Sequence, residues 1–203
     1  YTKVNPYRTS PLTALVIFRT DKAAKVSYTV VGKSAKTSIT NTVNGGYQKV
    51  HQVPVVGLYA DYANQVKITY RNGQTTTKTL TLQTGKLPKT LSQADIKVTK
   101  SDQSKMAIGQ NTLTLINRTA QEPYAIDADG QIRWYSTKWS QHTFVQLSNG
   151  HLLMQNRTSK TAKSYNVLTE TDYLGRIYRQ YKFSGKLGKG SEESTITAVH
   201  HDV

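Results

Sequence analysis

Apolar and polar positions alternate along much of the chain. Val66-Lys67-Ile68-Thr69-Tyr70 does so with period two, and Thr79, Thr81 and Gln83 interleave with Leu80 and Leu82. Successive side chains on a pleated strand point to opposite faces, so this period predicts strands with one wet side. Arg71-Asn72-Gly73-Gln74 stands between the two runs. Asn-Gly in that position predicts a hairpin through a type I′ turn, in which both central residues take positive φ. Leu12-Thr13-Ala14-Leu15-Val16-Ile17-Phe18 is an apolar run of strand length, and Lys25-Val26-Ser27-Tyr28-Thr29-Val30-Val31 mixes β-branched with polar residues at similar length. Nothing before residue 87 repeats apolar residues every 3.6 positions. Residues 1–86 therefore read as a small antiparallel sandwich of six or seven strands. Gly85-Lys86-Leu87-Pro88-Lys89 closes it, since glycine and proline punctuate and proline cannot continue a central strand.

The remainder, residues 88–203, reads as antiparallel hairpins in series. Strands are expected at Asp95-Ile96-Lys97-Val98-Thr99, Asn111-Thr112-Leu113-Thr114-Leu115-Ile116, Phe144-Val145-Gln146-Leu147, His151-Leu152-Leu153-Met154-Gln155, Val167-Leu168-Thr169-Glu170-Thr171 and residues 177–183. A repeat organises them. Asp127-Ala128-Asp129-Gly130-Gln131-Ile132-Arg133 returns as Asp172-Tyr173-Leu174-Gly175-Arg176-Ile177-Tyr178, about 45 residues later. That period fits one four-stranded propeller blade. Residues 184–194, rich in Gly, Lys, Ser and Glu, read as a long exposed loop. Val199-His200-His201-Asp202-Val203 then opens a third blade. Two blades and a fragment cannot close a ring, so the expectation is an incomplete propeller and the front of a longer protein. The fold class is all-β, with a sandwich over 1–86 and propeller blades over 88–203.

Composition narrows the setting. Hydrophobic residues make up 36% and charged residues 19%, a globular but polar balance. No apolar run approaches the roughly 18–20 residues of a membrane span. The absence of cysteine excludes disulfides and thiolate-bound zinc. The net charge is +15, which raises nucleic-acid binding. The lysines are scattered singly, however, and no recognition element accompanies them, so nucleic acid is not expected as a partner. A basic surface equally suits an anionic cell wall or acidic small substrates. Tyr1 is preceded by no charged n-region, which is compatible with a leader or lipid anchor removed beforehand.

Several motifs carry a resemblance. Asn5-Pro6-Tyr7, Ser10-Pro11-Leu12-Thr13-Ala14-Leu15 and Val53-Pro54-Val55-Val56-Gly57-Leu58-Tyr59-Ala60-Asp61-Tyr62 lie in the first part. Asp127-Ala128-Asp129-Gly130-Gln131-Ile132-Arg133-Trp134 and His200-His201-Asp202 lie in the second. In this order they resemble the bacterial aryl-sulfate sulfotransferases that use no nucleotide sulfate donor. The resemblance implies an N-terminal immunoglobulin-like sandwich and a six-bladed propeller. It also implies transfer of a sulfuryl group from a phenolic sulfate ester to an enzyme histidine and then to a phenol. The family site lies in the propeller channel and uses several histidines and an arginine. His200-His201-Asp202 matches one of its assisting histidines, while the nucleophilic histidine belongs to later blades. These 203 residues on their own are then expected to be inactive. An extracytoplasmic location, a phenolic donor and a phenol acceptor follow from the same resemblance, no cofactor is expected, and a homo-oligomer remains open. Better-known members hold a disulfide near the site, which a chain without cysteine departs from.

The candidate chemistry centres on His200 and His201. Adjacent strand residues face opposite ways, so one of the pair faces the channel. Alignment on the Asn149-Gly150 turn favours His201 and sets it opposite His142, which then faces the channel too. An imidazole titrating near neutrality suits proton donation to a departing phenolate. Asp202 would orient it. The competing reading is a pair of strand-start histidines, one wet and one packed. Adjacent histidines diverge, which makes them poor ligands for one metal ion. Asp127-Ala128-Asp129-Gly130 resembles the opening of a calcium loop, but its second copy keeps only the turn residues, which favours a hairpin. Trp134 and Trp139 read as packing residues, one of which could line a phenol pocket. Arg133 and Arg157 could reach a sulfate, though arginines at strand ends are mostly solvated. The alternative function is a non-catalytic cell-surface binding module, with the sandwich as adhesive and the repeats as scaffold.

Overall fold

The computed structural model describes residues 1–100, 102, 112–118, 120–157, 161, 162, 165–183, 185, 186, 193 and 194. The described chain is all-β apart from two single turns of helix. Six strands build the first part: β1 Thr2–Val4, β2 Thr13–Val30, β3 Ile39–Thr42, β4 Gln48–Val56, β5 Ala63–Arg71 and β6 Thr75–Gln83. β2 runs through both halves of the sandwich. Its first half pairs with β1 and β4, and its second half pairs with β3 and β5, with β6 outside β5. The apolar run and the Lys25–Val31 stretch, expected as separate strands, are thus one strand. The change of layer falls at an irregularity between Arg19 and Ala24, where three consecutive residues turn outward and Thr20 Oγ1 donates back to the Lys22 carbonyl. A bulged strand that switches sheets makes a corner in this way.

The alternating apolar residues meet inside. Leu12, Ala14, Val16, Val26, Tyr28, Val30, Val53, Val55, Val66, Ile68 and Leu82 form one buried cluster. The hairpin from β5 to β6 forms where Asn-Gly predicts it, but the turn differs. Gly73 alone takes positive φ, 99°, and three residues connect the paired Arg71 and Thr75. It is therefore not a two-residue type I′ turn. Pro88 caps a short helix, α1 Lys89–Ser92, that seals Leu91 into the same core.

Two further sheets follow. Three strands, β7 Thr114–Ile116, β8 Tyr124–Ile126 and β9 Ile132–Tyr135, form an antiparallel meander. Four more, β10 Ser140–Gln146, β11 Leu152–Asn156, β12 Val167–Thr171 and β13 Ile177–Lys182, form the next. The pairing is sequential throughout, as at the start of a propeller. Asp95–Thr99, expected as a strand, pairs with nothing; Ile96 and Val98 instead lie over the turn at Gly130. The strand expected from Asn111 is shorter and begins at Thr114, with Asn111 outside the described residues. Inside the expected 184–194 loop, Gly185–Lys186 (β14) pairs with Glu193–Ser194 (β15).

The repeat is visible as turn geometry. Asp127 N–H donates to the Gln131 carbonyl and Gly130 N–H to the Asp127 carbonyl. Asp172 with Arg176 and Gly175 repeats both bonds, and Leu147 with His151 and Gly150 repeats them again. Each turn needs one residue at positive φ, supplied by Gly130 (75°), Gly150 (83°) and Gly175 (87°).

The sheets stack as layers. β9 is buried on both faces. Trp134 and Ala125 face the four-stranded sheet and pack with Leu152 and Met154. Tyr124, Ile132 and Tyr135 belong to the cluster of the sandwich.

Candidate functional site

His200, His201 and Asp202, the foremost candidates from sequence, lie outside the described residues. Their register counterpart, His142, is described. It sits on β10 within a bulge, since Gln141 pairs with Gln155 while Phe144 pairs with Met154. The bulge gives His142 a φ of 21° and turns its ring outward, where Nε2 lies 2.9 Å from the Gln141 side-chain amide. Bulges re-aim side chains in this fashion. One exposed imidazole is thereby presented at the first strand of the four-stranded sheet.

The residues flanking that strand build a cleft of about 280 Å³, lined by Pro88, Glu122, Tyr135, Thr137, Trp139 and Arg157. It lies on the seam between the second and third layers: Glu122 precedes β8, Tyr135 ends β9, Trp139 precedes β10 and Arg157 follows β11. Trp139 Nε1 donates to Glu122 Oε1 at 2.9 Å, and the Asn156 side chain donates to the Trp139 carbonyl. The Arg157 guanidinium lies 4.0 Å from the centre of the Trp139 ring and 5.8 Å from that of Tyr165. Cation–π contact of this kind attracts a guanidinium to an aromatic face. Arg118 approaches Glu122 at 3.7 Å and packs over Tyr124. Burial, reinforced by the Glu122 carboxylate, pushes the Tyr135 phenol up to about 12, so it stays protonated. The arrangement presents an aromatic wall, a buried carboxylate and a guanidinium in one opening. Sequence raised Trp139 and Arg157 separately; the bridge Gln121↔Ser140 and the β10–β11 pairing bring them together.

The remaining candidates divide. Trp134 is a packing residue, with its Nε1 donating to the Tyr173 carbonyl at 2.7 Å. Arg133, expected to be solvated or to reach sulfate, does neither. It is fully buried, donating from Nε to the Gly57 carbonyl and from Nη1 to the Thr37 carbonyl and to Asp127 Oδ2, each at 2.8 Å. Its guanidinium stacks 3.6 Å from the Tyr59 ring centre. Asp127 Oδ1 meanwhile accepts the backbone N–H groups of Asp129 and Gln131. Both carboxylate oxygens therefore serve the turn and the arginine, as a hairpin requires. Two of the sequence motifs, the Val53–Tyr62 run and the Asp127 run, meet at this one side chain.

His151 and Glu170 form a further pair that the sequence does not announce. His151 Nδ1 donates to Glu170 Oε1 at 2.7 Å, Asn149 donates to the same oxygen, and Tyr178 stacks on the imidazole at 4.1 Å. Hydrogen bonds from His151 and Asn149 hold the Glu170 carboxyl below its usual range. No local spacing signals such a pair, because β11 and β12 bring His151 and Glu170 together across the sheet.

Comparison with known families gives two matches in sequence order. The arylsulfotransferase Ig-like domain matches residues 1–85, and the arylsulfotransferase (ASST) family matches residues 96–203. No curated protein matches the chain.

Proposed function

We propose, from a chain that belongs to the arylsulfotransferase family, that it forms the front of an enzyme moving a sulfuryl group from a phenolic sulfate ester to a phenol. The observation that carries this reading is the pair of consecutive family matches, 1–85 and 96–203. In the proposed reaction an imidazole nitrogen attacks sulfur, the aryl S–O bond breaks, and the departing phenolate takes a proton. The acceptor phenol oxygen then attacks the same sulfur, the N–S bond breaks, and the phenol proton passes to a nearby base. His201 is the proposed proton donor to the phenolate, with Asp202 orienting it and His200 on the opposite face of the strand. The layered sheets are the opening blades of the propeller in this reading, and the working location is extracytoplasmic.

The assay is release of a coloured phenol from its sulfate ester, with a second phenol as acceptor. In the full-length product of the gene, His201→Ala should lower turnover on the order of a hundredfold, and His200→Ala much less. Equal activity of both variants with wild type would remove the pair from the site. Residues 1–203 alone should release no phenol, because nucleophilic catalysis needs the attacking imidazole and its charge-stabilising partners on one frame. Robust turnover by these residues would defeat that part of the proposal. A full-length product that transfers nothing would leave the binding-module reading ahead.

A further inference from the structure

The lysines are scattered along the chain, but strand pairing gathers some of them. Residues 1–86 hold 12 lysines and arginines against Asp21 and Asp61, so ten of the fifteen net positive charges belong to the sandwich. One face of it organises three of them. β3, the second half of β2, β5 and β6 lie side by side, and residues directly opposite one another share a face. The outward residues form rows across the four strands. In the first row Lys25 stands opposite Arg71, with Thr75 beyond it. The second row is hydroxyls only, from Thr42 across Ser27 and Thr69 to Thr77. In the third, Lys67 stands between Thr29 and Thr79. No row contains a carboxylate. Among the described residues the ion pairs all lie beyond residue 94, and the Lys25 ammonium has the Tyr47 ring at 5.2 Å instead. Like charges directly opposite on a sheet repel, and an anion over Lys25 and Arg71 would remove that repulsion. The hydroxyls also have capacity to spare. Thr29 Oγ1 lies 2.8 Å from Thr40 Oγ1, and Thr69 Oγ1 lies 2.9 Å from Thr77 Oγ1. Each pair shares one hydrogen, which leaves one O–H and further lone pairs for a ligand.

We propose that this face binds a polyol phosphate, a linear chain of phosphodiesters that carries free hydroxyls. Side chains on one face of a strand recur every two residues, roughly 7 Å apart. The Lys25–Arg71 row and the Lys67 row are therefore about 14 Å apart, with the hydroxyl row between them. One small anion cannot touch both rows, so the ligand is a polymer. Arginine and lysine take phosphate oxygens. Threonine hydroxyls donate to the same oxygens and accept from the ligand's own O–H groups. The rows hold no aromatic ring, whereas a single nucleic acid strand is held by rings on which its bases stack. They hold no apolar side chain to enter a lipid surface either. The face belongs to the sandwich and its occupation is read without turnover. This inference therefore stands or falls separately from the sulfuryl-transfer reading.

The test titrates the 203-residue chain with poly(glycerol phosphate) by calorimetry. Glycerol 1-phosphate, which reaches one row only, and oligothymidylate of equal charge, whose repeating units carry no free hydroxyl, are the comparisons. Poly(glycerol phosphate) should bind saturably and more weakly as salt rises. Each comparison should bind at least about tenfold more weakly, for want of a second contact or of hydroxyl bonds. Lys25→Gln with Arg71→Gln should weaken binding about tenfold and flatten its salt dependence. Lys3→Gln with Lys49→Gln removes the same charge from β1 and β4, on the other half of the sandwich, and should change affinity by less than about twofold. Thr77→Val with Thr79→Val keeps strand-forming side chains and should cost several-fold, which an effect of charge alone would not produce. Circular dichroism checks the fold of each variant. Equal losses in the two charge variants would overturn the proposal, since attraction would then be diffuse. So would unchanged binding by the valine variant, oligothymidylate binding as tightly as the polyol phosphate, or no saturable binding of the polyol phosphate at low salt.

Discussion

Arg133 carries the heaviest consequence of any single side chain. It is buried with one carboxylate, two backbone carbonyls and one aromatic face as partners. Removing one member of a buried ion pair leaves the other charge uncompensated, which costs about 3–5 kcal/mol. Arg133→Met keeps apolar volume and strands Asp127, so chemical denaturation should show a loss of that size. Arg133→Lys should recover little, because an ammonium cannot reproduce the forked contacts to Gly57, Thr37 and Asp127. Adding Asp127→Asn to Arg133→Met should restore part of the loss by removing the stranded charge. A change within about 0.5 kcal/mol, typical of surface sites, would show that the clasp contributes no stability. Glu170 gives a second test at this scale, in pH. Its folded carboxyl is held below the ordinary range by His151 and Asn149. A depressed carboxyl stabilises the fold above the unfolded value, roughly 4.3, and that contribution is lost as pH falls through the folded value. The melting temperature should therefore fall more steeply between about pH 5 and pH 3 in wild type than in Glu170→Gln. Parallel acid limbs for the two proteins would show that the pair is energetically silent.

At the scale of elements, what could be read in the sequence was whatever depends on neighbours along the chain. The turns at Gly130 and Gly150 are legible because Asp-Gly and Asn-Gly signals are local, the turn at Gly175 because Asp172-Tyr173-Leu174-Gly175 repeats the Asp127 run, and all three share one backbone geometry. β12 was legible to the residue, Val167–Thr171. β2 was not legible as one strand, because the outward residues at its corner look like a loop when no partner is in view. Asp95–Thr99 reads as a strand for a related reason. Alternation reports that Ile96 is half-buried, and a lone extended segment crossing a turn produces the same pattern as a paired strand. Helix α1 spans 4 residues, too few for a periodic signal. The cleft was legible only in parts: an aromatic here, an arginine there. Its carboxylate was invisible, since nothing along the chain announces that Glu122 is buried and bonded to Trp139.

For the whole molecule, the open question is how far residues 1–86 are a unit of their own. We propose a boundary at residue 87, with the sandwich folding alone but less stably than in the chain. The strands of the sandwich and most of its interior, from Leu12 through Leu82, lie within 1–86. Its far surface is not closed, because Leu91, Tyr124, Ile132 and Tyr135 extend the same buried cluster. Polar ties run across the same surface: Thr9 Oγ1 to the Gly175 carbonyl at 3.0 Å, Ser34 Oγ to Asp129 Oδ2 at 2.7 Å, and Arg133 to Gly57 and Thr37. Losing the Arg133 contacts and four large buried neighbours should lower the melting temperature of residues 1–86 by at least about 10 °C, at roughly 4–8 °C per kcal/mol for a domain of this size. In the whole chain the sandwich should melt together with the layer that covers it. Calorimetry and hydrogen exchange on both chains decide this, with amides of β2 and β9 expected to share one protection limit. A whole-chain transition at the temperature of the isolated sandwich, or β9 exchanging while β2 stays protected, would show that the shared core does not couple the two parts.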